Sequence, residues 1–151
     1  QKNGIDKDRI IFAPQLPSRM DHLSRVQLAD LFLDTSPFNA HTTASDALRM
    51  GLPLLTCIGK SFVSRVAASL LEAIKLPELI VTNHEEYEAL AIYLGKNNQE
   101  LKIIKNKLKK NLETEALFKT PLYARHIEDS YIQMYKNYQK GLLPSDIVIN
   151  D

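Results

Sequence analysis

The sequence predicts an α/β fold in which a parallel sheet carries helices on both of its faces. Short apolar runs alternate four times with segments that have apolar residues at helical spacing. The connections between them are short, and the apolar runs are nearly continuous, as in strands that are covered on both faces. A Rossmann-like, doubly wound parallel sheet satisfies these observations together.

The first two strand–helix pairs lie in the N-terminal third of the chain. Residues 9–13 are β-branched and aromatic, which predicts a first strand, and Asp21 is expected to cap the helix that follows. Residues 31–33 predict a second strand. A helix then begins near Thr43, and Gly51 is expected to end it in the left-handed conformation.

Two more pairs follow in the middle of the chain. Residues 54–58 predict a third strand, and residues 64–75 have the apolar spacing of a helix. Residues 79–81 predict a fourth strand, after which Asn83 is expected to cap a helix. Right-handed crossovers between these strands bring the helix starts to one edge of the sheet, where ligands bind in such folds.

The C-terminal third of the chain reads as two further helices. Residues 98–115 predict a lysine-rich helix with one apolar face, and residues 122–140 predict a last amphipathic helix. The apolar stripe of this last helix comprises Ile127, Tyr131, Met134, Tyr135 and Tyr138. These side chains either pack against another part of a longer protein or close the core of this domain. Residues 141–151 are expected to be a loose tail.

Composition argues for one ordinary globular domain. The chain has 151 residues, of which 44% are apolar and 25% are charged. A net charge of +1 gives no reason to expect a nucleic-acid or membrane partner, and no apolar run approaches the roughly 20 residues of a membrane span. The single cysteine, Cys57, fits a reducing, cytoplasmic compartment. Residues 1–4 contain no initiator Met and no signal core, which is expected of a piece of a longer polypeptide.

Residues 39–46 are the most informative stretch, because polar side chains crowd a helix start directly after a strand. An imidazole from His41, hydroxyls from Thr42 and Thr43 and free backbone N–H groups suit a phosphate. Asp46, one turn further along, could take a ribose hydroxyl. Capping alone is an equal alternative, since Thr43 and Asp46 have the spacing of a capping box.

A second candidate group lies on the first predicted helix. His22 and Arg25 are three residues apart and share a face, and Arg19 comes just before them. They could face a phosphate, although exposed surface charges are the favoured interpretation from spacing alone. Residues 59–61 resemble only the end of a phosphate loop, no dinucleotide fingerprint occurs, and no metal-ligand spacing connects the histidines with Cys57 or acid pairs.

Several blocks in one order carry a family resemblance. The chain resembles the C-terminal part of the catalytic region of O-linked N-acetylglucosamine transferases, in their bacterial SPINDLY-like branch, from about residue 9 to residue 140. The blocks are Ile-Phe-Ala-Pro at 11–14, His-Leu-Ser-Arg-Val-Gln-Leu-Ala-Asp at 22–30, Leu-Asp-Thr at 33–35, Asn-Ala-His-Thr-Thr-Ala-Ser-Asp-Ala-Leu at 39–48, Gly-Leu-Pro at 51–53 and Ser-Arg-Val-Ala-Ala-Ser-Leu-Leu at 64–71.

The resemblance implies the C-terminal half of a GT-B glycosyltransferase, which holds the nucleotide-sugar donor. Residues 1–121 would be an N-terminally truncated donor-binding half, 122–140 a C-terminal helix and 141–151 a tail. The residues that match the family's donor site divide by role. His41, Thr42 and Thr43 would contact the diphosphate, Asp46 the ribose, and His22 and Arg25 the nucleotide pocket; Arg19 stands near the place of a lysine that the animal enzymes carry after the proline matching Pro17.

The implied reaction transfers N-acetylglucosamine from UDP-GlcNAc to Ser or Thr hydroxyls of an acceptor protein, without a metal or other cofactor. No catalytic residue is expected in this chain, because the acceptor-side half with the family's catalytic histidine, and the tetratricopeptide repeats that usually precede it, are not in the sequence. The chain alone is expected to be inactive. Two alternatives stay open, namely a GDP-fucose-dependent protein O-fucosyltransferase and a non-catalytic nucleotide-binding or interaction module.

Overall fold

The computed structural model describes residues 4–149, in which three parallel strands form one sheet. The strands are β1 (Phe32–Leu33), β2 (Leu54–Cys57) and β3 (Ile80–Val81), in the spatial order β1-β2-β3. Phe32 lies opposite Leu54, and Thr56 lies opposite Ile80. Because each strand follows a helix and runs in the same direction, the predicted parallel α/β architecture is confirmed.

Residues 4–149 also form six α-helices. They are α1 (Arg19–Val26), α2 (Thr42–Arg49), α3 (Val66–Ala73), α4 (His84–Lys96), α5 (Asn98–Thr114) and α6 (Thr120–Gln139). Short 3-10 turns lie at Lys7–Arg9, Phe62–Ser64, Pro77–Leu79 and Ala116–Phe118. The predicted boundary between residues 121 and 122 therefore falls inside α6, which starts at Thr120 with Pro121 in its first turn, where a missing N–H is harmless.

The two faces of β2 are covered by different helices, as a doubly wound sheet requires. Leu54 belongs to the main core cluster, whose helical members include Ala44 and Leu48 of α2 and Ala67 and Leu71 of α3. On the opposite face, Leu55 and Cys57 pack against α4. All four residues of β2 are buried, so the nearly continuous apolar run of the sequence reflects burial on both faces.

Two predicted helix ends are confirmed and one is wrong. The Asn83 side chain accepts a hydrogen bond from the Glu86 N–H at 2.8 Å, which caps α4, and Gly51 ends α2 with φ of 79°. The N-cap of α1 is Ser18, which accepts from the N–H groups of Met20 and Asp21. Asp21 therefore lies in the first turn of the helix, where its negative charge interacts favourably with the positive end of the helix dipole.

The strand predicted at residues 9–13 is absent from the structure. Arg9 ends a 3-10 turn, and residues 10–14 have neither helical nor strand structure. Ile11 and Phe12 are 84% and 92% exposed. A strand needs a neighbour to bond its N–H and C=O groups, and within residues 4–149 none pairs with this segment.

The amphipathic helix α6 does not close the core. None of its residues is buried, and Tyr131, Met134, Tyr135 and Tyr138 are all more than half exposed. Residues 142–149 have no regular structure, and part of this segment lines a cavity of about 580 Å³ against α6. The predictions for the start of the chain and for the tail extend to residues 1–3, 150 and 151, which lie outside the described residues. None of the described helices is long and apolar enough to cross a bilayer.

One tyrosine ties α4 to the end of β1. The Tyr87 hydroxyl donates to the Asp34 carbonyl at 2.8 Å. Burial, with a smaller contribution from the Asp34 charge, raises the pKa of Tyr87 to about 12. Since the unfolded phenol ionises near pH 10, the neutral hydroxyl stabilises the fold fully below pH 10, and this stabilisation is lost as pH rises through 12.

We expect Tyr87→Phe to lower the free energy of unfolding by about 1 kcal/mol at pH 8, because one hydrogen bond is lost. The difference between the two proteins should shrink as pH rises from 10 to 12, since only the wild type loses the contribution of the neutral phenol. Urea unfolding of both proteins at pH 8 and pH 11 measures this. A difference that stays constant would contradict the raised pKa of Tyr87.

Candidate functional site

The loop between β1 and α2 is organised by one buried carboxylate, that of Asp34. Asp34 Oδ1 accepts hydrogen bonds from the N–H groups of Thr35 at 2.8 Å and Ala40 at 2.7 Å. Asp34 Oδ2 accepts from the Thr56 hydroxyl of β2 at 2.6 Å. Asp34 is 7% exposed, so these donors replace water around its carboxylate. Asp34 thereby fixes both ends of the loop and the place where α2 begins.

The sequence patterns did not single out Asp34, which directly follows the strand predicted at residues 31–33. Its signal is an acidic residue at the carboxyl end of a buried strand, followed by residues of turn type, Thr-Ser-Pro. Asn39 makes two further bonds, one to the turn after β2 and one within the loop. The Asn39 N–H donates to the Val63 carbonyl at 2.9 Å, and the Asn39 side-chain amide donates to the Thr35 carbonyl at 2.8 Å.

The first turn of α2 keeps its backbone donors. His41 is the N-cap residue, but its side chain makes no capping bond. The first N–H that bonds back is that of Ser45, to the His41 carbonyl at 3.0 Å. Within residues 4–149, the N–H groups of Thr42, Thr43 and Ala44 therefore have no acceptor. Such a set of donors at the positive end of a helix suits an anion.

The alternative interpretation of this turn, a capping box between Thr43 and Asp46, is wrong. Because the helix begins at Thr42, Thr43 is its second residue and Asp46 its fifth, and neither is at a capping position. Thr42 and Thr43 are exposed, so their hydroxyls are open to a ligand. His41 and Thr43, together with Asp34, line a surface cavity of about 340 Å³.

The His41 ring lies between two phenylalanines. It stacks on Phe38 with 5.0 Å between ring centroids and an interplanar angle of 21°. Phe62, from the turn after β2, approaches it edge-on at 6.0 Å. His41 Nε2 is 3.4 Å from the Val63 carbonyl oxygen. The ring is thus held by groups from two separate loops at the carboxyl edge of the sheet.

Two other predicted site residues form an ion pair. Arg19 Nη2 lies 3.3 Å from Asp46 Oδ1 and connects the start of α1 with the middle of α2. The Asp46 side chain is 19% exposed and that of Arg19 is 75% exposed. The structure therefore brings the residue predicted for the ribose next to the arginine predicted in place of the family lysine.

His22 and Arg25 contact each other and the segment before α1. Arg25 Nη2 is 3.2 Å from His22 Nδ1, and Arg25 Nη1 donates to the Pro14 carbonyl at 2.5 Å. Neither residue lines the 340 Å³ cavity at the start of α2. Of the seven predicted site residues, His41, Thr42 and Thr43 thus share one turn, while the other four form two pairs on or against α1.

The other candidate chemistry has structural explanations. Cys57 is buried in β2, and desolvation, with smaller contributions from Glu86 and Glu85, raises the pKa of its thiol. The thiol is therefore protonated and acts as a small apolar side chain. Among residues 4–149, no group of three or more His, Cys, Asp and Glu side chains has the proximity to hold a metal ion.

Comparison with protein families gives one match that covers most of the chain. The model of glycosyl transferase family 41 matches residues 1–127. A UDP-N-acetylglucosamine–peptide N-acetylglucosaminyltransferase of Caenorhabditis elegans is 36% identical over 99% of this chain. A probable enzyme of the same name, SEC, from Arabidopsis thaliana is 35% identical over 93% of it. The chain spans only 13% and 14% of the length of these two relatives.

A solved structure agrees with the sequence matches. A mutant of the O-GlcNAc transferase of Thermobaculum terrenum superposes with a TM-score of 0.74 and 31% sequence identity. The superposition covers 80% of this chain and 23% of that one. At this identity the likeness extends beyond the α/β architecture to the sequence of the shared region.

We expect Asp34→Asn to lower the free energy of unfolding by about 2–4 kcal/mol, because the amide NH₂ would face donors that now bond a carboxylate. The start of α2 should lose order at the same time. Denaturant unfolding, with amide hydrogen exchange at residues 40–44, measures both effects. Asp30→Asn is the matched control, since Asp30 is exposed and forms a surface ion pair with Lys105. Equal effects of the two substitutions would contradict the role assigned to Asp34.

Proposed function

Because the chain belongs to glycosyl transferase family 41, we propose that it is the donor-binding part of a protein O-glycosyltransferase. The donor is UDP-GlcNAc, and the reaction transfers N-acetylglucosamine to Ser or Thr hydroxyls of a protein. One observation carries the proposal: the exposed first turn of α2 offers unpaired N–H groups and the hydroxyls of Thr42 and Thr43 beside a cavity that His41 lines.

These groups suit the chemistry of the leaving group. When the sugar departs, negative charge grows on the diphosphate, and donors fixed in advance stabilise that charge without reorganising. The N–H groups of the first turn are such donors because α2 holds them in place, and the helix dipole adds to them. One well-placed donor of this kind contributes about 3 kcal/mol to the transition state. The site needs no metal ion for this role, and we propose that none is used.

The rest of the nucleotide would lie toward α1. Asp46 is the proposed acceptor for a ribose hydroxyl, with Arg19 holding its carboxylate at 3.3 Å. His22 and Arg25 are proposed to border the nucleotide beyond the ribose. Their mutual contact at 3.2 Å and the bond of Arg25 to Pro14 give this part of α1 a defined shape before any ligand binds.

The acceptor protein and the catalytic step belong, in this proposal, to parts of the polypeptide outside this sequence. The chain spans 13% of the length of the worm relative, so most of such an enzyme lies elsewhere. UDP-GlcNAc is preferred to GDP-fucose as the donor because the relatives, the SPINDLY proteins of plants included, carry UDP-N-acetylglucosamine in their names. A purely non-catalytic module has no comparable support.

We expect His41→Ala and Thr43→Ala each to weaken UDP binding about tenfold, because each removes a group from the proposed diphosphate site. Isothermal titration calorimetry of the full chain with UDP measures this. GDP should bind more weakly than UDP to the wild type. Thr114→Ala, on the exposed face of α5, is the matched control and should leave the affinity unchanged. Unchanged UDP affinity in both site variants would remove the assignment.

We expect Asp46→Asn to weaken UDP binding about fivefold to tenfold, because a carboxylate accepts a stronger hydrogen bond from a hydroxyl than an amide oxygen does. The substitution should have less effect on 2′-deoxy-UDP or 3′-deoxy-UDP, whichever lacks the contacted hydroxyl. Arg19→Met separates loss of the ion pair from loss of the carboxylate. If Asp46→Asn weakens UDP and both deoxy analogues equally, Asp46 does not bind the ribose.

A further inference from the structure

The turn that follows β2 contacts the proposed phosphate site at the His41 ring and at the Asn39 N–H. Residues 59–64 form this turn, which we call the β2 turn. The Phe62 ring of the turn is nearly perpendicular to the His41 ring, with an interplanar angle of 84°, and the Val63 carbonyl oxygen lies 3.4 Å from His41 Nε2. Among the residues that line the 340 Å³ cavity, none comes from the β2 turn. Val63 also bonds the backbone of Asn39, which lines the cavity, whereas Phe62 has its ring contact with His41. An effect of Phe62 on a ligand there is therefore expected to pass through His41.

The β2 turn is held rigidly by its own hydrogen bonds. The Gly59 N–H donates to the Ser64 carbonyl at 2.8 Å, and the Ser64 hydroxyl donates to the Ser61 carbonyl at 3.0 Å while it accepts from the Ser61 N–H at 3.1 Å. A Cβ at residue 59 would lie 2.4 Å from the Ser64 hydroxyl oxygen, so only glycine fits. The turn is thus a fixed support for Phe62 and Val63.

The exposure of Phe62 has no explanation in the core. Its side chain is 78% exposed, although the phenyl ring of a turn gains by burial. The Phe62 ring contacts the His41 ring, with 6.0 Å between the ring centroids. Phe38 is also exposed, by 60%, and it stacks on the other part of the same imidazole. Two exposed phenyl rings therefore contact the His41 ring and restrict its orientation.

The Val63 carbonyl also restricts the protonation of the ring. A carbonyl only accepts hydrogen bonds, so it favours the tautomer of His41 that carries its proton on Nε2. In the neutral ring, Nδ1 then carries the lone pair and has no partner among residues 4–149. The same carbonyl accepts the Asn39 N–H at 2.9 Å, which fixes its position relative to the backbone that leads into α2.

We propose that Phe62 and the Val63 carbonyl are positioning groups for His41, and that they set its ring plane and its Nε2–H tautomer so that Nδ1 can accept a hydrogen bond from a hydroxyl of the nucleotide sugar. This inference rests on the proposed function for its ligand, but the tautomer itself is a property of the free chain. In this proposal Phe62 acts on the nucleotide sugar indirectly, by orienting His41. Its contribution to binding therefore disappears when the imidazole is removed.

The test combines a double-mutant cycle with nitrogen NMR. In the full chain, Phe62→Ala should weaken UDP binding about twofold to tenfold, the range expected for one aromatic contact. In a His41→Ala background the same substitution should change the affinity by less than about twofold. Phe62→Tyr keeps the ring and should bind UDP like the wild type. Tyr123→Ala, another exposed aromatic residue, on α6, is the matched control.

The ¹⁵N shifts of the His41 ring give a readout that needs no ligand. The wild type should show a protonated Nε2 and an unprotonated Nδ1, and Phe62→Ala should move both shifts toward a mixture of tautomers. The proposal is overturned if the wild type protonates Nδ1, if Phe62→Ala leaves both shifts unchanged, or if it weakens UDP binding equally with and without His41. If UDP binds to neither the wild type nor Phe62→Ala, the proposed function fails. The ¹⁵N shifts of the His41 ring then decide the positioning role by themselves.

Discussion

The buried carboxylate of Asp34 is the constraint on which the rest of the site depends. A buried charge is tolerated only when donors replace its water, and here they come from Thr35, Ala40 and Thr56. The Asp34 carbonyl also accepts the Tyr87 hydroxyl. The end of β1, the loop into α2, the middle of β2 and the start of α4 therefore meet at one residue, and none of them can shift without leaving a buried group unpaired.

This constraint also decides which backbone donors are left for a ligand. The N–H groups of Thr35 and Ala40 are used by Asp34, and that of Asn39 is used by the Val63 carbonyl. Within residues 4–149, the N–H groups of Thr42, Thr43 and Ala44 in the first turn of α2 stay unpaired. A side-chain cap there would stabilise the helix by about 1 kcal/mol, but His41 does not provide one. Helices α3, α5 and α6 also lack a side-chain cap, so it is the cavity beside the first turn of α2 that marks its free donors as a candidate site.

Local patterns predicted much of this fold, and contacts distant in sequence account for most of what they missed. Helix α4, its Asn83 cap and the αL residue Gly51 follow from periodicity and from the conformations that these residues prefer. The segment 9–13 has strand composition, but composition cannot supply a neighbouring strand. The bond between Asp34 and Thr56 and the contact between His41 and Val63 each join residues 22 positions apart, so no local pattern contains them. The predicted capping box failed because a spacing of three does not say where a helix begins.

The two parts of the predicted donor site differ in how firmly they are held. His41 is fixed by two rings and a carbonyl from separate loops, and its place follows from the buried network around Asp34. Asp46 is held by Arg19, whose side chain is 75% exposed. An exposed ion pair of this kind contributes between 0 and about 1 kcal/mol, so a ribose hydroxyl can share or replace it at little cost. A nucleotide would therefore meet a rigid surface at its diphosphate and an adjustable one at its ribose. In the proposed complex, a ribose hydroxyl that replaced Arg19 would move one exposed side chain, and the backbone of the α2 turn would stay in place.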